Sequence, residues 1–398
     1  MSRNLLLVHL ALALFTVACG PKGGQTETTA QADSTPTQSL APAATVEPDA
    51  YWNPLALFLG GFADTTSGYQ PLYGKPEVVR HFQTFQKSWV NKDTSLLRKL
   101  RQLNQQEQAA ATADRNATVL YPFSGPDVMH LYALFPNAKR YVMFGLEPEG
   151  RRNLQTRPTP NQVLTYLPIL ERTLDDIMVH TFFKTNDMKV DMRNSKLEGT
   201  LPVMLAFLAR HECQILGVRG VQVNREGQVQ EAPATLAENP ADTVVTGVEI
   251  RFRKGTEGQE QTVTYFSLDI SDGQYARQVG FQRYLNSLKP TYTYMKSASY
   301  LLHTGYFNRI RDQLLDISQS VLQDDTGMPV KFFTADKWTV RLYGQYKAPI
   351  RLFANRYQPD LFKKYNDPEL SKQVRPLNFR LGYNYYEALT NLQLAVKK

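Results

Sequence analysis

The sequence predicts an α/β protein: an open mixed sheet with a Rossmann-like βαβ unit and antiparallel additions. Three observations carry this. Thr118-Val119-Leu120-Tyr121-Pro122-Phe123 and Arg140-Tyr141-Val142-Met143-Phe144-Gly145-Leu146 are apolar runs of strand length, separated by the turn Ser124-Gly125-Pro126-Asp127 and a short amphipathic helix from Val128 to Phe135. Two such strands joined through a helix must lie parallel, which is the βαβ unit. Downstream, helical and strand patterns keep alternating. Finally, Val248–Arg253 and Val263–Asp269 alternate about the turn Lys254–Gly258, the pattern of an antiparallel hairpin.

The chain opens on a lipoprotein-type leader. Arg3 provides a positive start, Leu5 to Phe15 form an apolar core, and Thr16-Val17-Ala18-Cys19 places a small residue before a cysteine. That core is too short to span a bilayer as a permanent helix. Residues 1–18 are therefore expected to be removed as a signal peptide, and Cys19 to carry the lipid, palmitate included, that ties the protein to a membrane. Gly20 follows without an Asp retention signal, which favours the outer membrane. Residues 19–50, built from Gly, Thr, Ala, Gln, Ser and Pro, cannot bury a core and are expected to be a disordered tether. Residues 51–116 form a helical N-terminal segment packed on an α/β body at 117–398.

Within the first of these segments, apolar residues from Val78 to Leu103 recur at three-to-four spacing, giving a helix over 75–108 divided near Asn91–Ser95. Beyond the βαβ unit, Pro160–Phe183 and Gly199–Glu212 read as helices, and Pro202 is tolerated in the first turn of the second. Cys213–Val218 restarts strand character, and 223–243 is a polar excursion. Further helices are predicted at Phe281–Leu288 and Phe307–Leu322, with strands at Thr291–Met295, Val330–Phe333 and Thr339–Tyr343.

Charge is concentrated at one end. Residues 331–398 hold 13 Lys and Arg against 5 Asp and Glu, while the full chain carries +8, so everything before this segment is nearly neutral. The cations alternate with aromatics, as in Arg341-Leu342-Tyr343 and Tyr346-Lys347. Arg341, Lys347, Arg351 and Arg356 are the candidate ligand-binding residues for an anionic glycan or lipid. Export argues against a nucleic-acid partner. Cys213 is the other cysteine besides Cys19; it has no disulfide partner in the mature body and is expected to be buried and inert.

Ligands on open α/β sheets collect beyond the C-terminal strand ends, and Ser124, Asp127, His130 and Glu147 all come from that edge. Asp127 and His130 stand three apart on one helical face and could address a ligand or metal. Equally, Ser124 or Asp127 could cap the helix that Pro126 opens. Phe135-Pro136-Asn137-Ala138 followed by a strand ending Gly145-Leu146-Glu147-Pro148 looks like the second-strand region of methyltransferases, with Glu147 22 residues after Gly125. In such domains the acid binds ribose hydroxyls. The loop here has one glycine where the cofactor loop normally has two or three, so the resemblance implies shared architecture; no cofactor and no metal are expected. No Gly-x-Ser-x-Gly elbow is present. Asp324-Asp325-Thr326-Gly327 is similar to an aspartic-protease triplet, but it occurs once and is also an ordinary turn. His211-Glu212 closes a helix before a strand, which suits a cationic residue at a helix C-terminus as well as a ligand, whereas His180 and His303 are expected to be structural.

Tyr121 to Gly150, Lys296 to Pro329 and Leu342-Tyr343-Gly344 together resemble a family of bacterial exported proteins, many with lipoprotein signals, to which no activity attaches. The sequence thus points to a lipid-anchored cell-envelope protein that binds or organises an anionic component. The alternative is an exported hydrolase with its site at Asp127, His130 and Glu147.

Overall fold

The computed structural model describes residues 46–150, 152–183, 197–233, 244–383 and 389–398. The leader, Cys19, most of the tether and part of the 223–243 excursion lie outside them. Among the described residues ten strands form one sheet. In chain order they are β1 (Thr118–Pro122), β2 (Arg140–Gly145), β3 (Cys213–Val223), β4 (Val229–Glu231), β5 (Val245–Lys254), β6 (Gln261–Ser267), β7 (Thr291–Met295), β8 (Ser318–Gln323), β9 (Trp338–Gly344) and β10 (Asn391–Lys397).

The centre of the sheet is parallel, in the order β6-β2-β1-β7-β8. These strands are buried on both faces, as parallel strands flanked by helices must be. Val119 and Tyr121 of β1 enter one apolar core and Leu120 the other; on β2, Tyr141 and Met143 oppose Val142 and Phe144 in the same way. The first core takes the helices Trp52–Leu59, Pro76–Lys92, Arg98–Glu107, Val128–Leu134, Pro160–Asp175 and Leu201–Arg210; the second takes Val279–Ser287 and Asn308–Ile317. The predicted open mixed sheet is therefore present. Its βαβ unit pairs Thr118 with Arg140 through Pro122 with Phe144. Its antiparallel additions are β5-β3-β4 beyond β6, and β10-β9 beyond β8.

Several elements differ from the prediction. The helix expected over Phe307–Leu322 stops at Ile317, and Ser318–Gln323 is the inner parallel strand β8. Val330–Phe332 is a 3₁₀ turn following Pro329, whereas a strand was expected there. The break expected at 91–95 is a π-helical turn, Asp93–Leu97, inside a continuous helical run. β10 was not foreseen. Cys213 is buried, and its thiol is pushed up to about 12 by burial. No helix among the described residues is long and apolar enough to cross a membrane.

Numbering only the parallel strands by chain order, the sheet runs 3-2-1-4-5. The chain leaves β1 toward one side and β7 toward the other, so the connections diverge between these two neighbours. Their C-terminal ends flank a topological switch point, where open sheets place ligands.

Candidate functional site

A cleft of about 110 Å³ opens at that switch point. Its walls are the loop after β1 (Phe123, Ser124, Gly125), the end of β2 (Gly145 to Glu147), the end of β6 (Leu268 to Ile270) and the segment after β7 (Lys296 to Ser299), completed by Phe182, Phe307 and Tyr383.

Backbone conformation is unusual here. Phe123, Ser297, Ser299 and Tyr300 have φ of 57°, 51°, 53° and 55°, and Thr181, beside the cleft aromatic Phe182, has 69°. Non-glycine residues avoid this left-handed region, and such strain gathers at functional sites where surrounding structure enforces it. The enforcement is visible on the β7 side. Asp324 Oδ2 accepts from the Ser297 amide at 3.0 Å, Thr326 Oγ1 accepts from the Ala298 amide at 2.7 Å, and Asp325 Oδ2 accepts from the Tyr300 hydroxyl at 2.5 Å. The Asp324-Asp325-Thr326-Gly327 segment is therefore a turn after β8 that clamps the cleft wall. Its carboxylates are engaged by these donors and by Asn391 at 2.7 Å. Burial and the adjacent Asp324 push the Asp325 carboxyl up to about 7.

Beneath the cleft lies a buried polar cluster centred on Asp127. Its Oδ1 caps the Val128–Leu134 helix by accepting from the His130 amide at 3.2 Å, and it also accepts from His130 Nδ1 at 2.7 Å. Oδ2 accepts from the Tyr121 hydroxyl at 2.9 Å and from the Lys296 ammonium at 2.8 Å. Burial alone would raise this carboxyl; the charges and donors of His130 and Lys296 outweigh it and hold it at about 2. Burial lowers His130 to about 4, helped by the Lys296 charge and opposed by Asp127. At neutral pH the imidazole is uncharged, with the Nδ1 proton assigned by its bond to Asp127. Lys92, also buried, is lowered to about 8 by burial and by Lys296. Lys296 donates in addition to the Thr181 carbonyl, and two of its three N–H groups are thereby engaged.

Glu147 stands apart from this cluster, at the end of β2 in the cleft wall. Only 5% exposed, it accepts from the Tyr265 hydroxyl at 2.9 Å on Oε2. Gly145 makes the approach possible: a Cβ there would fall 2.7 Å from that oxygen and 2.9 Å from the Tyr265 hydroxyl. Ser124 and Ser297 line the cleft with hydroxyl oxygens that are buried and without a hydrogen-bond partner among the described residues.

The sequence candidates are thus divided by the fold. Asp127 and His130 are joined but fully buried, and Tyr121 and Lys296 stand between them and the cleft; Glu147 and Ser124 face it. Lys296, Tyr121, Tyr265 and Asp269 were not singled out from sequence. The one available signal was position: Lys296 and Asp269 each follow a parallel strand. His211 bonds the Met129 carbonyl at 3.0 Å inside the core. No group of three His, Cys, Asp or Glu side chains able to hold a metal occurs among the described residues.

The C-terminal cations do not form one cluster. Arg341 pairs with Glu107 at 3.3 Å, and Arg375 pairs with the other oxygen of the same carboxylate, beside a cavity that also takes Lys364 and Lys372. Arg356 lines a different cavity with Lys331 and His303. Lys347 and Arg351 are exposed and line neither.

Comparison of the chain with family models, with curated proteins and with solved structures finds no match in any of the three.

Proposed function

We propose that this is a lipid-anchored envelope protein whose α/β body binds a small organic molecule in the cleft at the β1/β7 switch point. The observation that carries the reading is the coincidence, in one cleft, of enforced left-handed backbone and buried polar groups lacking partners. Both are costly to a fold, and features of this kind gather at sites kept for function. Glu147 is the principal polar contact. The Asp127–Lys296 pair fixes the floor, and Phe123, Phe182 and Phe307 supply apolar surface, the usual composition of a small-molecule site. The hydrolase alternative uses the same cleft, with Glu147 as its reactive acid, since the Asp127 oxygens already accept four donors. Anchoring rests on the Cys19 leader.

The test is native mass spectrometry of the mature protein extracted from its own membranes under non-denaturing conditions. An adduct of constant mass on the wild type, lost in Glu147→Gln and in the cleft-filling Ala298→Trp, is expected. An adduct retained by both variants would contradict the assignment.

A second reading, retention of an anionic envelope polymer, draws on Lys347 and Arg351, which are exposed and have no carboxylate within ion-pair distance among the described residues. Charge reversal at Arg341, Lys347, Arg351 and Arg356 should then abolish salt-sensitive retention on isolated envelope polymer; unchanged retention at low salt would refute it.

A further inference from the structure

We propose, on the premise that the cleft is the binding site, that its ligand is an organic cation carrying an ammonium group.

Glu147 is a carboxylate 5% exposed that receives one side-chain hydrogen bond, from Tyr265, and no cation lies within 4 Å of it among the described residues. A buried carboxylate left in that condition is expensive, and the cost is relieved when an opposite charge arrives. A second acid, the exposed Asp269, lines the cleft just after β6, the strand paired with β2, and its Oδ1 accepts from the Ser271 amide at 2.8 Å. Against these two stands, among the described residues, one lining cation, Lys296, whose ammonium is 2.8 Å from Asp127 and is neutralised by it. The surface that the described residues offer to a ligand is therefore negative, and an anionic ligand would meet two carboxylates with no cation paired to them among those residues.

The apolar walls fit the same guest. Phe123 and Phe307 meet edge-to-face at 6.0 Å between centroids, and Phe182 and Tyr383 at 4.8 Å. Aromatic faces attract a desolvated cation through the ring quadrupole, which an isosteric neutral group does not exploit.

Three probes of one shape separate the possibilities: choline, its uncharged isostere 3,3-dimethylbutan-1-ol, and the anion 3,3-dimethylbutanoate. Each is titrated at millimolar concentration into the full mature protein, read by calorimetry and by amide chemical shifts. Choline should bind at least tenfold tighter than the neutral isostere, about 1.4 kcal/mol, with shifts in 123–125, 145–147 and 296–299. That preference should fall below about twofold in Glu147→Gln and be reduced in Asp269→Asn, an exposed substitution that spares the fold. If the neutral isostere binds the cleft as well as choline, or the anion binds it better, the cation inference is wrong and the cleft assignment stands. If none of the three perturbs those amides, both are wrong.

Discussion

The ammonium of Lys296 and the carboxylate of Asp127 lie 2.8 Å apart with side chains 2% and 1% exposed, joining the end of β7 to the helix that follows β1. This pair bridges the two strands whose connections diverge, so it sets the spacing of the cleft floor. Removing one partner leaves the other charge buried alone, which costs about 3–5 kcal/mol. Asp127→Asn and Lys296→Met should each lose stability of that order in urea unfolding, and the double variant should lose less than the sum. Single losses under about 1 kcal/mol would show the pair to be solvated.

Stability should fall on mild acidification. Burial lowers His81, His130 and His211 to about 4, about 4 and about 3. Unfolded imidazoles take up protons below about pH 6.5 while these do not, so the unfolded state binds more protons in that window. Stability is therefore complete above about pH 6.5 and declines toward pH 4, by up to about 1.4 kcal/mol per unit for each ring. His130→Gln should flatten the decline; an unchanged slope would place His130 outside it.

Asp325 acts in the opposite sense. Its carboxyl, raised to about 7 by burial and by Asp324, keeps its proton between about pH 4 and 7, where the unfolded chain has released it. Its contribution is present below about pH 4 and lost as pH rises through 7. Asp325→Asn should thus gain stability relative to wild type from pH 5 to pH 8, measured as the shift in urea midpoint. A constant difference across that range would contradict the raised value.

The clamp on the cleft wall is testable without a ligand. Thr326→Val removes the acceptor of the Ala298 amide and should cost about 1–3 kcal/mol, with faster hydrogen exchange confined to 297–300. Gly382→Ala should act on the same wall, because φ there is +76° and a Cβ would lie 2.6 Å from Asp324 Oδ2. Exchange unaltered in both variants would mean that the left-handed segment is held by something else.

Anchoring gives a separate prediction. Wild-type protein should partition into the detergent phase of Triton and release a multiply acylated Cys19 peptide, and Cys19→Ala should remain aqueous. Aqueous wild-type protein would remove the anchor while leaving the cleft untouched.

The centre of the fold was legible because β1 and β2 are buried on both faces and therefore appear as continuous apolar runs bracketing a capped helix. β8 was not. Ile310, Leu314, Ile317 and Val321 continue a helical period across the boundary, and the polar Ser318, Ser320 and Gln323 argue against a buried strand. Those side chains are accepted in the core only because Thr293, Gln108 and the main chain of Met328 receive them, all remote or local bonds that no periodicity announces. At the site, the strand-end rule located Ser124 and Glu147. It could not separate them from Asp127 and His130, because whether a helix-start acid faces a cleft or a core depends on Lys296, which the fold brings from 169 residues away.

The most direct measurement is hydrogen exchange on the mature protein with and without the small-molecule fraction of its own cell envelope. Protection concentrated in 121–125, 145–147 and 296–299, and absent in Glu147→Gln, is the predicted result. Protection confined to 341–356, with the strand ends unchanged, would contradict the account.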